Sequence, residues 1–296
     1  MRPGAILQSY AIMMTLGLIA GLLVGGLPAY TKETSMASLA LLMTFSLSTV
    51  SFGEARGADH VRHSIWALLL NYGALTVLIL VMGLAFSHDL WPGWVLLDAA
   101  PSAISVVPFT GILGGRTTKA LFSTAVNYLV ALALMPLITL ALIGSAVDVS
   151  SLVESLIILI VLPMLASRLV ARLRINKALN TSLINVFFAI LIFAVAGANR
   201  KAFFGDPLIV LAISAAGMGR TFGIGLGTEF ALRRTGMPKS ERSTYVLFAS
   251  YKNLGLVATL AIALFEPIAA VPATICIVFE VIWVIFLTRY YQRLPG

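Results

Sequence analysis

A lysine lies in the middle of an apolar stretch of this chain, where a charge is costly. The stretch is FASYKNLGLVATLAIALF, residues 248–265, in which Lys252 and Asn253 follow Ser250 and Tyr251. A lysine at the centre of a membrane-spanning helix costs about 2.5–3.5 kcal/mol on insertion scales. Three explanations fit such a residue. It could replace a bound cation, gain and lose a proton, or extend its ammonium to the membrane surface as a structural residue.

A second interrupted apolar stretch lies in the first half of the chain. It reads LLDAAPSAISVVPFTGILGG and contains Pro101 and Pro108 with Ser102 and Ser105 near them. Because proline removes helical hydrogen bonds, the freed backbone groups must find other partners. We predict that both stretches are broken helices, unwound near Pro101–Pro108 and Ser250–Gly255, which cross each other. The alternative is that the two prolines only kink a packed helix.

Four further polar side chains lie in apolar segments: Asn71, Asn127, Arg220 and Glu280. Arg220 and Glu280 lie at matching depths in their segments, which predicts a buried salt bridge. Asn71 and Asn127 either line a cavity or bond a neighbouring helix. Counting Lys252, Arg220 and Glu280 as the buried charges leaves one positive charge in excess, and this predicts an anionic cargo.

Composition identifies an integral membrane protein. Hydrophobic residues make up 59% of the 296 residues, charged residues 11%, and the mean hydropathy is +0.99, whereas soluble domains carry about 25% charged residues. A spanning helix needs about 20 apolar residues. Ten such segments are found, near residues 9–28, 35–53, 64–86, 94–112, 117–143, 151–171, 181–199, 207–231, 243–265 and 268–288. We therefore predict an all-α polytopic fold with short connections.

The distribution of lysine and arginine sets the predicted orientation. With both termini in the cytoplasm, fifteen of the 20 cations lie on the cytoplasmic side, three lie outside (Lys32, Arg200 and Lys201), and Arg220 and Lys252 lie within spans. The net charge of +8 therefore reflects membrane topology, and nucleic acid is excluded as a partner. The predicted location is the cell (inner or plasma) membrane, with the lipid bilayer as a partner.

Ten spans divide into two five-helix repeats, residues 1–146 and 147–296. An odd number of spans per repeat places the two repeats in opposite orientations, as in many secondary transporters. Each interrupted stretch is the fourth span of its repeat, and interruptions at matching positions indicate a binding site near the membrane midplane. In the eighth span, glycines at 219, 223 and 227 share one helical face, which predicts close packing on that face.

The two interrupted stretches resemble the bile acid:sodium symporter family, within the bile/arsenite/riboflavin transporter superfamily. The family's fourth and fifth spans carry a motif resembling P-G-G-x-x-S-N, a glycine-containing link and a later proline, and this frame is matched by Pro101, Gly115 and Pro136. The motif of the ninth span resembles E-x-G-x-Q-N-x-x-L, and its positions hold Phe248, Ser250, Lys252, Asn253 and Leu256. The resemblance implies this family's fold, with inverted repeats, and secondary transport of an organic anion.

Several sodium-binding positions of that family carry other residues here. Thr124 keeps one hydroxyl ligand, and Asn71 stands where the family has a glutamine. The other positions hold Val106, Val107, Ala120, Phe248 and Lys252. We therefore expect the inherited fold without sodium coupling, with Lys252 in place of the coupling cation. No metal site and no cofactor are expected, because the three histidines fall in predicted loops and no nucleotide motif is present.

The leading hypothesis is a secondary active transporter that is not an enzyme. A membrane-embedded enzyme would need an acid, base or metal constellation, which the sequence lacks. A channel-like or sensor protein with a transporter fold is one alternative. An arsenite-permease-like efflux carrier is another: Glu280–Val281 resembles the last span of arsenite permeases, but their span-four cysteine is absent. The predicted partners are a small organic anion, protons and the lipid bilayer.

Overall fold

The computed structural model describes residues 6–49, 58–144 and 147–294, and all regular secondary structure in these ranges is helical. In chain order the helices are α1 (Tyr10–Val24), α2 (Thr31–Ser48), α3 (Ala58–Gly83), α4 (Trp91–Ala99), α5 (Val106–Ile112), α6 (Thr117–Ile143), α7 (Val149–Arg172), α8 (Lys177–Ala198), α9 (Arg200–Gly205), α10 (Pro207–Arg234), α11 (Lys239–Ser250), α12 (Leu254–Leu264) and α13 (Val271–Arg293). Three of them contain a π-helical turn: α3 at Leu69–Leu75, α7 at Ile157–Val161 and α10 at Gly219–Gly223.

Seven helical stretches in the described ranges are long and apolar enough to cross a membrane: α3, α6, α7, α8, α10, the stretch Lys239–Leu264 that contains α11 and α12, and the stretch Pro267–Arg293 that contains α13. The prediction of an all-α, multi-pass membrane protein is confirmed. Helix length and composition identify seven candidate spans in these ranges and do not establish the ten spans that the sequence predicts. The first predicted span is α1, of only 15 residues. The second is the less apolar α2, and residues 50–53 lie outside the described ranges. The fourth is divided between α4 and α5.

Both predicted interruptions coincide with non-helical backbone. The chain leaves the helix at residues 100–105, between α4 and α5, and at residues 251–253, between α11 and α12. The non-helical segments are narrower than predicted, because Pro108 lies in the first turn of α5 and Gly255 in the first turn of α12. Proline is tolerated there because the first N–H groups of a helix have no partner within it.

Polar side chains cap the helices that begin inside or beside the apolar region. Asn253 caps α12, where its Oδ1 accepts the N–H of Leu256 at 3.1 Å. Asp206 caps α10 and accepts the N–H groups of Leu208 and Ile209. Because the first N–H groups of a helix otherwise lack acceptors, the cap at Asn253 lets a helix begin where water is scarce.

The helices form two groups that meet at α12. Helices α1, α2, α7 and α8 pack as a bundle, and α3–α6 with α10–α13 form the second group. Helix α12 contacts α2 and α8 of the bundle as well as α4 and α13 of its own group. Every residue from Ser243 to Ala261 is buried, whereas α3 and α6 expose large apolar side chains. The broken helix α11–α12 is therefore the centre of the fold.

One end of the second group is joined by polar contacts. Two of the three histidines lie in the first two turns of α3 and not in the predicted loop. The Nδ1 of the buried His63 lies 2.9 Å from Ser123 Oγ on α6. Lys119 on α6 pairs with Asp59 of α3 at 2.7 Å and with Glu241 of α11 at 3.1 Å. These contacts fix the beginnings of α3, α6 and α11 relative to one another.

The close-packed face of α10 is not the predicted one. A Cβ atom added at Gly225 would lie 2.3 Å from the ring of Trp283 on α13. Gly223 and Gly227, two of the three glycines on the predicted face, have open space where a Cβ would lie. Gly219, the third, lies against the end of the Met82 side chain, where an added Cβ would lie 2.9 Å away. The predicted close packing therefore occurs at one of the three glycines and is wrong for the other two.

We expect Gly93→Ala to destabilise the protein, by about 1–3 kcal/mol or more, as overpacking does. The added Cβ would lie 1.9 Å from the carbonyl oxygen of Ala269, so the backbone of α4 or of the turn Pro267–Ala270 must move. The matched control is Gly227→Ala, which has open space and should gain up to about 1 kcal/mol of helix propensity. Thermal unfolding of both variants in one detergent tests this. Equal midpoints would contradict it.

Candidate functional site

The ammonium of Lys252 is enclosed by oxygen atoms where the two broken helices cross. Nζ lies 2.8 Å from the carbonyl oxygens of Asp98 and Ala100, 3.1 Å from Thr76 Oγ1 and 3.4 Å from Asn71 Oδ1, and its three N–H groups are shared among these four acceptors. The two carbonyls lie at the C-terminal end of α4, where carbonyls lack helical partners and the helix dipole favours a positive charge. Lys252 is 0% exposed, so the alternative of an ammonium that reaches the membrane surface is wrong.

A buried carboxylate that the sequence-based charge count omitted accompanies this lysine. Asp98 is buried and interacts electrostatically with Lys252. Among the described residues its Oδ1 has no hydrogen-bond partner. With Asp98 included, the positive charges of Lys252 and Arg220 are balanced by Asp98 and Glu280. The excess positive charge that predicted an anionic cargo is therefore absent, and that count is wrong.

Asn71 connects the lysine to the end of α11. Its Nδ2 donates to the carbonyl oxygens of Phe248 at 3.3 Å and Tyr251 at 3.2 Å, while its Oδ1 accepts from Lys252. Asn71 lies in the π-helical turn Leu69–Leu75 of α3. Such turns occur frequently at functional sites, because the extra residue redirects side chains. The Asn71 side chain thus donates to two backbone carbonyls of the second broken helix. It also accepts from Lys252, whose ammonium binds carbonyls of the first broken helix.

Asn253 and Ser250 hold the non-helical segments in place. The N–H of Asn253 donates to the carbonyl of Pro101 at 2.8 Å, which joins the two segments directly. Its Nδ2 donates to the Tyr128 hydroxyl of α6 at 2.6 Å. Ser250 Oγ accepts from Trp283 Nε1 of α13 at 2.9 Å. Residues from both breaks are therefore tied to one another and to two neighbouring helices.

Glu280 is the point where α10, α13 and the second break meet. Its Oε1 accepts from Arg220 Nη2 at 2.7 Å and from the backbone N–H of Lys252 at 3.2 Å. Its backbone carbonyl accepts from the Tyr251 hydroxyl at 2.7 Å. The predicted salt bridge between Arg220 and Glu280 is present, and Arg220 also lies in a π-helical turn, Gly219–Gly223.

The other predicted site residues lie beside the crossing. The hydroxyls of Ser102 and Thr124 are buried without a hydrogen-bond partner among the described residues, and Asn127 Nδ2 donates within its own helix. Ser105 and Pro108 line a cavity next to the crossing. No hydroxyl of α6 belongs to the oxygen atoms that bind the ammonium in the described part of the chain.

Sequence reasoning missed Thr76, Asp98, Tyr72 and Tyr128. The Tyr72 ring centre lies 4.7 Å from the Lys252 ammonium, at cation–π distance. Thr76 follows Asn71 by five positions, and a period of 3.6 residues does not place both on one face. The π-helical turn Leu69–Leu75, which has more residues per turn, does place both side chains on one face. Asp98 could have been found as an acidic residue in an apolar segment, three positions before Pro101.

A cavity of about 360 Å³ lies between the bundle and the crossing. Its wall includes residues of α1, α2, α8 and α13, both non-helical segments, and the two charged residues Lys252 and Glu280. Three aromatic rings line it: Tyr10 contacts Phe109 at 5.0 Å and Phe188 at 5.4 Å between ring centres. A mostly apolar cavity of this size with a few polar groups is typical of a site for a small organic molecule.

Comparison with protein families agrees with the resemblance inferred from the sequence. A family model described as the SBF-like CPA transporter family (DUF4137) matches residues 29–293, which is nearly the whole chain and includes both broken helices. Comparison with curated proteins finds no match. The predicted resemblance to bile acid:sodium symporter-like transporters is thereby confirmed.

Proposed function

The chain belongs to the SBF-like CPA transporter family, and on that premise we propose that it is a secondary active transporter of an organic solute that works by alternating access. The observation that carries the proposal is the Lys252 ammonium, bound by oxygen atoms at the crossing of two broken helices. In transporters of this plan, unwound carbonyls and helix C-termini bind the coupling cation. Here a covalently attached ammonium takes that position.

The proposed topology has ten membrane passages and both termini in the cytoplasm of a cell (inner or plasma) membrane. Helices α1 and α2 and the pair α4–α5 would complete the seven longer spans. Residues 1–146 and 147–296 would then form two inverted five-helix repeats. The charge distribution between loops supports this orientation, and the position of the broken helix as fourth span of each repeat supports the symmetry.

A second version of the mechanism exchanges a proton at the crossing. It is favoured by Asp98, a buried carboxylate that interacts with Lys252 and keeps one oxygen without a hydrogen-bond partner among the described residues. In the first version the lysine is a permanent replacement for a coupling ion. In the second, the pair of Asp98 and Lys252 gains and loses a proton as the transporter changes conformation, and protons are a partner.

Sodium is expected to have no specific effect on stability or uptake. Val106, Ala120 and Phe248 offer no side-chain oxygen, and the carbonyls near the crossing already bind the ammonium. A sodium ion at a hundredfold excess over its Kd would add about 2.7 kcal/mol to the free energy of unfolding. Thermal unfolding and vesicle uptake should agree in sodium chloride and potassium chloride of equal ionic strength. A sodium-specific increase in either would contradict sodium independence.

The resemblance to the family implies an organic anion as cargo. The buried charges give no support to it, because two acidic and two basic side chains balance at the crossing. Only the resemblance to the family therefore supports an organic anion as the cargo.

A further inference from the structure

We infer that the cavity beside the crossing binds the ammonium group of an amphipathic organic cation. This rests on the proposed transport function and specifies its cargo. Two observations, the charge of the cavity wall and its aromatic lining, carry the inference independently of each other.

Among the described residues, the wall of the cavity offers a carboxylate but no free cation. Glu280 lines the cavity and its side chain is 7% exposed, while both hydrogen bonds found for its carboxylate end on Oε1, so that Oε2 remains available. The balancing cations are turned away from a ligand. Arg220 is 0% exposed and does not line the cavity, and the Lys252 ammonium is bound by four oxygen atoms.

The aromatic residues of the cavity wall suit a cation. Tyr10, Phe109 and Phe188 form one contiguous group of rings on the wall. The face of an aromatic ring attracts a cation within about 6 Å of its centre, and clusters of rings are the usual recognition site for quaternary ammonium groups. A carboxylate and several rings together favour an alkylated nitrogen over a hydrated metal ion.

The remaining lining suits the hydrocarbon part of such a molecule. Met14, Leu42, Ile184 and Ile277 add apolar surface, and the volume of about 360 Å³ lies near the lower end of the range for small-molecule sites, about 300–1,000 Å³. A carboxylate cargo would face Glu280 with no unpaired cation beside it in the described part of the chain, and like charges in contact disfavour binding.

Three ligands of matched shape test the inference: benzyltrimethylammonium, the uncharged 2-methyl-1-phenylpropan-2-ol and the anion 2,2-dimethyl-3-phenylpropanoate. Binding is measured by titration calorimetry on the full chain in lipid nanodiscs. We expect the cation to bind about tenfold more tightly than the alcohol, as a desolvated cation–π contact alone allows, and the anion to bind most weakly. Equal or tighter binding of the alcohol or the anion would overturn the inference, as would no binding of any ligand.

Variants identify the groups responsible. Phe188→Leu should reduce the preference for the cation over the alcohol about fivefold. The matched control is Phe187→Leu, because Phe187 precedes Phe188 on α8 but stacks on Phe45 and does not line the cavity. Glu280→Gln should remove most of the preference for the cation over the alcohol. If Glu280→Gln does not fold, Tyr10→Leu is measured in its place. An unchanged preference in both Phe188→Leu and Tyr10→Leu would refute the site.

Vesicle uptake separates this inference from the proposed function. Radiolabelled benzyltrimethylammonium that binds selectively but does not cross the membrane would support the binding site and contradict a transporter. Uptake of the anion together with a failure of the cation to bind would support a transporter and contradict the inferred cargo.

Discussion

Lys252→Met is expected to destabilise the protein by about 2–4 kcal/mol, the sum for the buried groups that lose a donor or a neighbouring charge, and to abolish uptake. The substitution removes the positive charge near the buried Asp98 carboxylate, leaves the carbonyl of Ala100 without a donor, and leaves the carbonyl of Asp98 with Thr76 Oγ1 as its only side-chain donor among the described residues. Each unsatisfied buried group costs about 1–3 kcal/mol. Lys252→Gln retains an amide donor, so it should keep the fold with a smaller loss, while uptake still falls.

A double substitution separates charge from packing. Asp98→Asn combined with Lys252→Gln removes both charges, so this protein should be more stable than Lys252→Gln alone, which leaves a buried carboxylate unpaired. Unfolding in one detergent measures the stabilities, and uptake into vesicles measures function. Normal transport by both single lysine variants, with Lys252→Met neutral or stabilising, would show that the lysine couples nothing.

The same vesicles distinguish the two versions of the mechanism. A permanently charged lysine predicts uptake that does not change between about pH 6 and 8, because the ordinary titration of lysine lies near 10.4. Proton exchange predicts uptake that a pH gradient drives in the wild type and that loses this dependence in Lys252→Gln.

Replacing Glu280 is expected to destabilise the protein more than replacing Arg220, although the two form one ion pair. Arg220 is 0% exposed, so Glu280→Met leaves a cation with no route to water, and it also removes the acceptor for the backbone N–H of Lys252. Glu280 lines the cavity, so Arg220→Met leaves a carboxylate that water can reach. Within the range of about 3–5 kcal/mol for a broken buried pair, we expect Glu280→Met at the upper end and Arg220→Met at the lower.

Two controls accompany this comparison. Arg220→Met with Glu280→Gln removes both charges and keeps an acceptor for the Lys252 N–H, so it should recover most of the loss. Arg116→Gln breaks a pair with Glu241 that is 51% and 23% exposed, and should change stability by less than about 1 kcal/mol. A larger loss in Arg220→Met than in Glu280→Met would contradict this account of the pair.

The positions of the two breaks could be predicted because their signal is local. Pro101 and the polar run at Ser250–Asn253 interrupt apolar sequence, and this can be seen without knowing which residues lie near them in the folded protein. The partners of Lys252 could not be predicted in the same way. Thr76 and Asn71 share a face only because α3 contains a π-helical turn, and no simple residue pattern identifies such a turn.

Two other predictions failed because they depend on neighbours. Regular spacing correctly grouped Gly223 and Gly227 on one face of α10, but only the position of α13 decides which face packs, and Trp283 lies against Gly225 instead. The charge count failed because Asp98 was taken as part of an apolar span. Its burial beside Lys252 results from the crossing of α4 with the second break, which brings together residues 154 positions apart.

The distance along the chain between the lysine and its oxygen atoms has a consequence for biosynthesis. Asn71, Asp98 and Ala100 precede Lys252 by 181, 154 and 152 positions. Since chains are made from the N-terminus at about 5–20 residues per second, α3 and α4 are synthesised several seconds before the lysine exists. During that interval the Asp98 carboxylate and the open end of α4 lack their partner. Completion of the site therefore depends on translation of the second half of the chain and not on the salt content of the compartment.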